Sequence, residues 1–132
     1  SLTSQWAEQT GIPVELEIDP SLGRLPEPIE LGVYRIIQEG LSNIRKHANA
    51  TRVSLDLKRT SAANLSVRLI DNGRGLAQPL DLATLTTQKH FGLVGISERL
   101  SLIGGTLKLT SVPSGGLEMD FEIPSPYPTI GN

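Results

Sequence analysis

The chain has 132 residues, of which 38% are hydrophobic, and its 12 Lys and Arg against 14 Asp and Glu give a net charge of −2. This length and apolar content predict one domain with its own core, and the balanced charge excludes the basic surface typical of nucleic-acid binding. Cysteine is absent, which excludes a disulfide framework and thiolate metal sites and fits a reducing compartment.

The first part of the chain predicts a helix, a strand and a second, longer helix. Residues 2 to 10 form a short helix or the end of a longer one, stopped at Gly11. Apolar and acidic residues alternate over 13–18, which predicts a strand with one wet face. A loop rich in Pro, Gly and Ser follows over 19–28. Apolar residues at helical spacing then predict a helix over 27–48.

The second part predicts mainly strands. The predicted elements are strands at 51–58 and 65–70, a mobile loop at 76–91, a helix at 92–103, and strands at 106–112 and 117–123. Most strands follow one another without an intervening helix. The fold class is therefore predicted to be α+β, a two-layer sandwich with a mixed sheet covered on one face by helices.

The domain division follows from these elements. Residues 1–11 are predicted to be the tail of a preceding helix, 12–124 the domain, and 125–132 a flexible tail. The chain begins at Ser1 without an initiator Met, so we expect a fragment of a longer protein. No apolar run approaches the roughly 18 residues of a membrane span, and no secretory signal opens the chain.

The segment Asp71-Asn72-Gly73-Arg74-Gly75 directly follows the predicted strand 65–70. A carboxylate at the end of a buried strand needs hydrogen-bond partners. Glycines beside it let a ligand approach the backbone closely. The pattern indicates a pocket for a ligand that donates a hydrogen bond, although an Asn-Gly turn between two strands is the ordinary alternative.

Four polar residues of the long helix form a second candidate group, made of Glu39, Asn43, Lys46 and His47. At about 100° per residue, Asn43 and His47 lie near 40° and 80° from Glu39, and Lys46 lies near 340°. A carboxylate can orient or accept a proton, an amide oxygen suits Mg²⁺, and a lysine suits phosphate. The alternatives are a solvated face for Glu39 and Asn43, a core histidine, and a surface lysine.

The third candidate is Gly92-Leu93-Val94-Gly95-Ile96 at the start of a predicted helix. Free N–H groups at a helix start favour an anion such as phosphate, and glycine permits close approach. By itself a Gly-x-x-Gly pattern equally fits a helix start whose glycines serve packing.

In this order and spacing the three groups resemble the nucleotide-binding domain of histidine kinases, within the superfamily of gyrase-type ATPases. The segment from Glu39 to Ala48 is similar to the family's N box, and the two glycine segments are similar to its first and second glycine boxes. The variants Arg45-Lys46-His47-Ala48 and His90-Phe91-Gly92-Leu93 resemble the subfamily that signals to response regulators with helix-turn-helix outputs. The resemblance covers about residues 12–124 and implies the superfamily's ATP-binding (Bergerat) fold.

The resemblance also implies roles and ligands, ATP and Mg²⁺. Asp71 would accept the hydrogen bond of the adenine amino group, and Gly73 and Gly75 would shape the base pocket. Asn43 would hold Mg²⁺, and Glu39 would orient the reacting groups or act as a base. Further nucleotide-site residues are Lys46 and His47 near the phosphates, and Gly92, Leu93, Val94, Gly95 and Ile96 at the helix that meets the triphosphate. Residues 76–91 would form a lid over ATP.

Two features depart from a complete kinase. Leu117 follows Gly115-Gly116 where the family usually has Thr, so a hydroxyl that could help the adenine site through water is missing. The only histidines, His47 and His90, lie in the nucleotide segments. The resemblance therefore implies that the phosphate-accepting histidine lies on a helical dimerisation domain of the same full-length protein, outside this chain.

The partners implied are that dimerisation domain and a response regulator, with no nucleic acid bound by this domain. The location implied is the cytoplasm, with any membrane anchor outside this chain. Two other functions stay open: a related ATPase or anti-sigma-factor serine kinase, and a degenerate nucleotide-binding module that works through protein contacts.

Overall fold

The computed structural model describes residues 1–74, 91–113, 115–124 and 126, and it confirms the α+β class. Five strands form one sheet in the order β1-β2-β3-β5-β4. Their bounds are β1 Val14–Ile18, β2 Val53–Arg59, β3 Leu65–Asp71, β4 Thr106–Ser111 and β5 Leu117–Ile123. The sheet is mixed as predicted, because β1 pairs parallel with β2 and the other pairs are antiparallel.

Among the described residues, three α-helices accompany the sheet: α1 Leu2–Thr10, α2 Glu27–Asn43 and α3 Phe91–Leu102. α1 ends at Gly11, whose φ of 75° suits glycine. α2 begins with Pro28 in its first turn, where a missing N–H is harmless, and with acidic Glu27 and Glu30 near the positive end of the helix dipole. α2 supplies the crossover that parallel pairing of β1 with β2 requires.

The core lies between these helices and one face of the sheet. Alternate residues of the central strands are buried, and so are the residues of α2 and α3 at helical spacing, which is the pattern of two packed layers. The buried core residues of these elements are Val33, Ile36, Ile37, Leu41, Val53, Leu55, Leu65, Val67, Leu69, Leu93, Ile96, Leu100, Met119, Phe121 and Ile123. The opposite face is polar and carries the ion pair between Arg68 and Asp120, with Nε to Oδ1 at 2.7 Å.

The long helix differs from the prediction at its end. After Asn43 the chain continues as a π-helical turn over Ile44–Ala48, here named the π turn. A π turn is wider than an α-helical one, so the angles predicted for Lys46 and His47 at about 100° per residue are wrong. The angle for Asn43, inside the α-helical part, is unaffected.

Strand β1 also differs in part. The prediction of one dry face is wrong for Leu16 and Ile18, whose exposed fractions are 41% and 54%. β1 lies at an edge of the sheet, where the helical layer covers less of the strand.

Several predictions stay untested. The predicted lid falls outside the described residues except for Phe91, and so does the predicted C-terminal tail except for Pro126. The domain limits remain predictions. In the described part of the chain, no helix combines the length and apolar character needed to cross a membrane.

Candidate functional site

Asp71 is the last residue of β3, and only 4% of it is exposed. The alternation of β3 turns its side chain to the same buried face as Leu69. Its Oδ1 accepts a hydrogen bond from the backbone N–H of Gly73 at 2.8 Å. Burial raises the pKa of Asp71 above its usual range, and the N–H groups of Gly73 and Leu117 lower it by less. The site therefore holds a largely desolvated carboxylate, and this carboxylate can still accept a hydrogen bond from a further donor.

The turn before β5 packs against the backbone of Asp71. A Cβ added at Gly116 would overlap the Asp71 carbonyl oxygen, and Gly116 has a φ of 107°. Gly115, with a φ of 113°, lies beside the carbonyl oxygen of Gly73. Glycine is required here by both the contact and the backbone conformation. The third glycine segment thus supports the carboxylate through its backbone, including the N–H of Leu117, and this contribution needs no hydroxyl side chain.

The turn after β3 also contacts the π turn. The N–H of Arg74 donates to the carbonyl of Ala48 at 2.8 Å. A Cβ at Gly73 would overlap that same carbonyl oxygen, so only glycine fits between the two segments. The end of the long helix and the Asp71 turn, separate in sequence, therefore meet at one end of the sheet.

Glu39 and Asn43 lie one turn apart near the end of α2, and both are partly buried. Between them Gly40 lets the helix approach β3, since a Cβ there would come within 2.7 Å of Leu69 Cδ2. The Asn43 Nδ2 is buried without a hydrogen-bond partner among the described residues. A buried amide is normally satisfied, so this orphaned group fits a site completed by a ligand or by water.

Lys46 is exposed and lies in the π turn. The backbone of His47 lies in the same turn, and its side chain falls outside the described part of the structure.

The contact between α2 and α3 bears on where the second glycine segment lies. A Cβ at Gly32, early in α2, would touch Ile103, just after α3, at 3.3 Å. The two helices pack against each other, and the Gly32–Ile103 contact joins the start of α2 to the end of α3, which is the arrangement of an antiparallel pair. From Gly32 to Asn43 and from Ile103 back to Phe91 the helices rise by similar lengths, about 17 Å at roughly 1.5 Å per residue. In an antiparallel pair of this kind, the first turn of α3 lies at about the level of Asn43.

Within this second glycine segment the residues differ in exposure. Leu93 is 4% exposed and Ile96 is fully buried, so their side chains pack in the core. A helix leaves the backbone N–H groups of its first turn without partners inside the helix, and these groups are available to a ligand. Val94 and Gly95 are partly buried, and a Cβ at Gly95 would meet nothing within 4 Å. Gly92 belongs to α3, but its surroundings fall outside the described residues, as does Gly75 altogether.

The described residues contain no group of three or more His, Asp or Glu side chains that could hold a metal ion. A dedicated protein cage for a metal is therefore not formed by this part of the chain. An ion held by one amide oxygen, phosphate oxygens and water remains compatible, and this is the usual situation of Mg²⁺ with nucleotides.

Sequence reasoning named three contributors to this geometry within its motifs but gave them no role of their own, namely Ala48, Asn72 and Gly116. Each acts through hydrogen bonds or contacts to backbone at least 20 residues away in the sequence. The two consecutive glycines at 115 and 116 were the available signal for a close backbone approach. For Asn72 the sequence signal indicates only a turn.

Comparison with known proteins shows the family of the chain. Residues 29–127 match the family described as "Histidine kinase-, DNA gyrase B-, and HSP90-like ATPase". The signal transduction histidine-protein kinase/phosphatase DegS of Brevibacillus brevis is 34% identical over 119 residues, which are 90% of this chain and 29% of that protein. Sensor histidine kinase LiaS of Bacillus subtilis is 30% identical over 112 residues, 85% of this chain and 29% of LiaS.

Solved structures show the same fold. The ATP-binding domain of PrrB from Mycobacterium tuberculosis superposes with a TM-score of 0.69 at 23% identity, over 96% of this chain and 93% of that domain. The present chain spans less than a third of the length of DegS and LiaS, whereas it matches almost the whole PrrB domain.

The chain belongs to the family of histidine kinase-, DNA gyrase B- and HSP90-like ATPases. Its named relatives, DegS and LiaS among them, are sensor histidine kinases. The prediction of an ATP-binding catalytic domain of the histidine kinase type is thereby confirmed, and so is the predicted fold.

Proposed function

We propose that this domain binds ATP with Mg²⁺ and donates the γ-phosphoryl group to a histidine on a helical dimerisation domain outside this chain. The observation that carries the proposal is Asp71, a buried carboxylate at a strand end, held by the N–H of Gly73 and enclosed by the glycines before β5. An amino group of adenine is a donor of the kind that such a carboxylate lacks, and guanine would present a carbonyl there instead. Gly73 and Gly75 would shape the base pocket.

The phosphate side would be formed by α2, the π turn and α3. Asn43 would hold Mg²⁺ through its amide oxygen, and its orphaned buried Nδ2 supports a site that a ligand completes. When bound, the ion would supply positive charge to the β- and γ-phosphates. Lys46 and His47 would lie near the phosphates, and the free N–H groups at Gly92 and Leu93 would face them.

Catalysis would come mainly from positioning, since in-line phosphoryl transfer requires little covalent chemistry from the protein. Glu39, one helical turn before Asn43, would orient the attacking histidine or accept its proton. Val94, Gly95 and Ile96 would hold the first turns of α3 in place, Ile96 through its buried side chain. Residues 76–91 would close over the nucleotide.

Partners and location belong to this proposal as well. The response regulator would be of the kind with a helix-turn-helix output, which rests on the variants Arg45-Lys46-His47-Ala48 and His90-Phe91-Gly92-Leu93. The sensor histidine kinases among the relatives support a regulator partner in general. We place the domain in the cytoplasm, without direct contact to nucleic acid.

The first test is to measure ATP binding and self-labelling on the isolated chain. Calorimetric titration with ATP and Mg²⁺ is expected to show saturable binding. Incubation with γ-labelled ATP is expected to give no phosphohistidine, because His47 and His90 lie in segments assigned to the nucleotide. Absence of binding by the folded chain would overturn the proposal. Rapid hydrolysis by the chain alone would favour an ATPase instead.

A second prediction concerns Gly95, which lies inside α3 with open space where a Cβ would be. Glycine in a helix interior destabilises by roughly 0.5–1 kcal/mol relative to alanine, so Gly95→Ala should raise the free energy of unfolding by about that amount. The same methyl would occupy the space that the phosphates are proposed to approach, so ATP affinity should fall. Urea unfolding and calorimetry measure the two effects. Ser101→Ala, at an exposed position of the same helix, should leave ATP affinity unchanged; unchanged affinity in Gly95→Ala would remove the glycine from the site.

A further inference from the structure

The side chain of Asn72 joins the end of β3 to the segment between the π turn and β2. Its Oδ1 accepts hydrogen bonds from the backbone N–H groups of Thr51 and Arg52, both at 2.9 Å. Its Nδ2 donates to the hydroxyl of Thr51, also at 2.9 Å. The backbone N–H of Asn72 adds a bond to the carbonyl of Arg52 at 3.3 Å. Both ends of the amide are thus engaged by protein, so the side chain holds backbone rather than a ligand.

The segment that Asn72 holds is continuous with the helix end that carries Asn43 and Lys46. The π turn ends at Ala48, and three residues later the chain reaches Thr51. Between them, Asn49 has a φ of 54°, a left-handed conformation that asparagine adopts more readily than most residues other than glycine. The bond from Arg74 N–H to Ala48 carbonyl, at 2.8 Å, ties the same two segments at a second point.

The other side of this connection is Asp71 itself. Asn72 is the next residue, so a displacement of Asn72 relative to Thr51 would move the carboxylate relative to the π turn. Two short segments, 48–52 and 71–74, are therefore held as one body by bonds from both backbone and side chain. One segment follows the proposed phosphate side and the other carries the proposed base acceptor.

We propose that Asn72 is a positioning residue that fixes the separation between the base-binding carboxylate of Asp71 and the phosphate-binding end of α2. This inference rests on the proposed function of the same site. ATP engages both ends at once, so its affinity depends on their separation. Adenosine engages only the base end, so its affinity does not.

The test compares two ligands on one variant of the 132-residue chain. Asn72→Ala is expected to weaken binding of ATP with Mg²⁺ by about 5- to 10-fold, because ATP binding must then supply the free energy that holds the two ends at the right separation, which is roughly that of one to two net hydrogen bonds. Adenosine binding is expected to stay within about twofold. The ratio of the two dissociation constants, measured by NMR titration well below the melting temperature, is the readout. A loss of global stability alone would leave this ratio unchanged in the folded protein.

Two further variants complete the design. Asn64→Ala removes an amide that bonds Glu122 Oε1 at 3.0 Å at the opposite end of the β2–β3 hairpin, and it should keep the wild-type ratio. Thr51→Val keeps the side-chain shape and removes only the bond to Asn72 Nδ2, so it should change the ratio in the same direction but less. It also provides the test if Asn72→Ala does not fold.

The outcomes separate this inference from the function on which it rests. A wild-type chain that binds neither adenosine nor ATP would overturn the proposed function. A wild-type chain that binds both, with Asn72→Ala at an unchanged ratio, would overturn the positioning role alone. Equal losses for adenosine and ATP would also overturn it, because Asn72 would then support only the base pocket.

Discussion

Replacement of Asp71 by asparagine is expected to weaken ATP binding by about 10- to 150-fold, the equivalent of roughly 1.5–3 kcal/mol for a hydrogen bond to a charged group. Asparagine has nearly the same shape, but its amide group can place a donor where the adenine amino group also donates. Calorimetric titration with ATP and Mg²⁺ measures the loss.

Asp56→Asn is the matched control for this substitution. Asp56 belongs to β2 and pairs with Arg68, on the polar face of the sheet away from the helices. The affinity of the Asp56→Asn protein for ATP should equal that of the wild type. An Asp71→Asn protein that is folded and binds ATP within about twofold of the wild type would remove the carboxylate from the base site.

Asp71→Asn should also change how the free energy of unfolding depends on pH. Burial raises the pKa of Asp71, so the folded protein holds this proton more tightly than the unfolded chain does. The wild type therefore loses stability as pH rises from the ordinary Asp value, about 4, through the raised folded pKa. Asp71→Asn has no such loss. Between acid and neutral pH, the melting temperature of the wild type should therefore fall relative to that of Asp71→Asn as the pH rises. Parallel curves would contradict a raised pKa of Asp71 in the folded protein.

Gly116→Ala is expected to lower the free energy of unfolding by at least about 2 kcal/mol, because it combines overpacking against backbone with an unfavourable φ. The new Cβ would overlap the Asp71 carbonyl oxygen at a φ of 107°, and backbone on both sides leaves little freedom to adjust. A fall in melting temperature of about 6–12 °C is the corresponding result by calorimetry. ATP affinity should fall too, since the displaced atoms belong to Asp71.

Gly104→Ala separates the two causes. Gly104 has a φ of 77° but nothing within 4 Å of its Cβ position, so only the backbone penalty applies, about 1–2 kcal/mol. ATP affinity should be unchanged, because this glycine follows α3 at the end away from the site. If Gly116→Ala and Gly104→Ala had equal effects on both stability and ATP affinity, the contact of Gly116 with Asp71 would contribute to neither.

Much of the fold could be predicted because local patterns agree with the tertiary structure. The apolar spacing of α2 and the alternation of β3 and β5 each match a buried face, so their placement followed from the residues alone. Asp71 was recognisable as the closing residue of β3 for the same reason. The exposure of Leu16 and Ile18 was not, because alternation does not distinguish an edge strand from a central one.

The π turn and the contacts around Asp71 could not be predicted because they depend on strand register. Ala48 meets Gly73, and Asn72 meets Thr51, only once Val53 lies opposite Asp71. A helical pattern through 48 gave no sign of a wider turn, since that turn is held by partners from β3's end. The sequence thus indicated the residues that face the proposed ligand better than those that hold them in place.

The register of β2 with β3 has one more consequence, for the order in which the chain closes. The pairing runs from Arg59 opposite Leu65, next to the five-residue connection, to Val53 opposite Asp71 at the open end. If strand pairing starts at this connection, the pair that includes Asp71 forms last. The open end of a hairpin is also where the strands separate most readily. The hydrogen bonds of Asn72 to Thr51 and Arg52 stabilise the open end of the hairpin. The rate of hydrogen exchange at the amides of Thr51 and Arg52, which lie before β2 rather than in it, would measure the free energy needed to open this end, and slow exchange is the expected result.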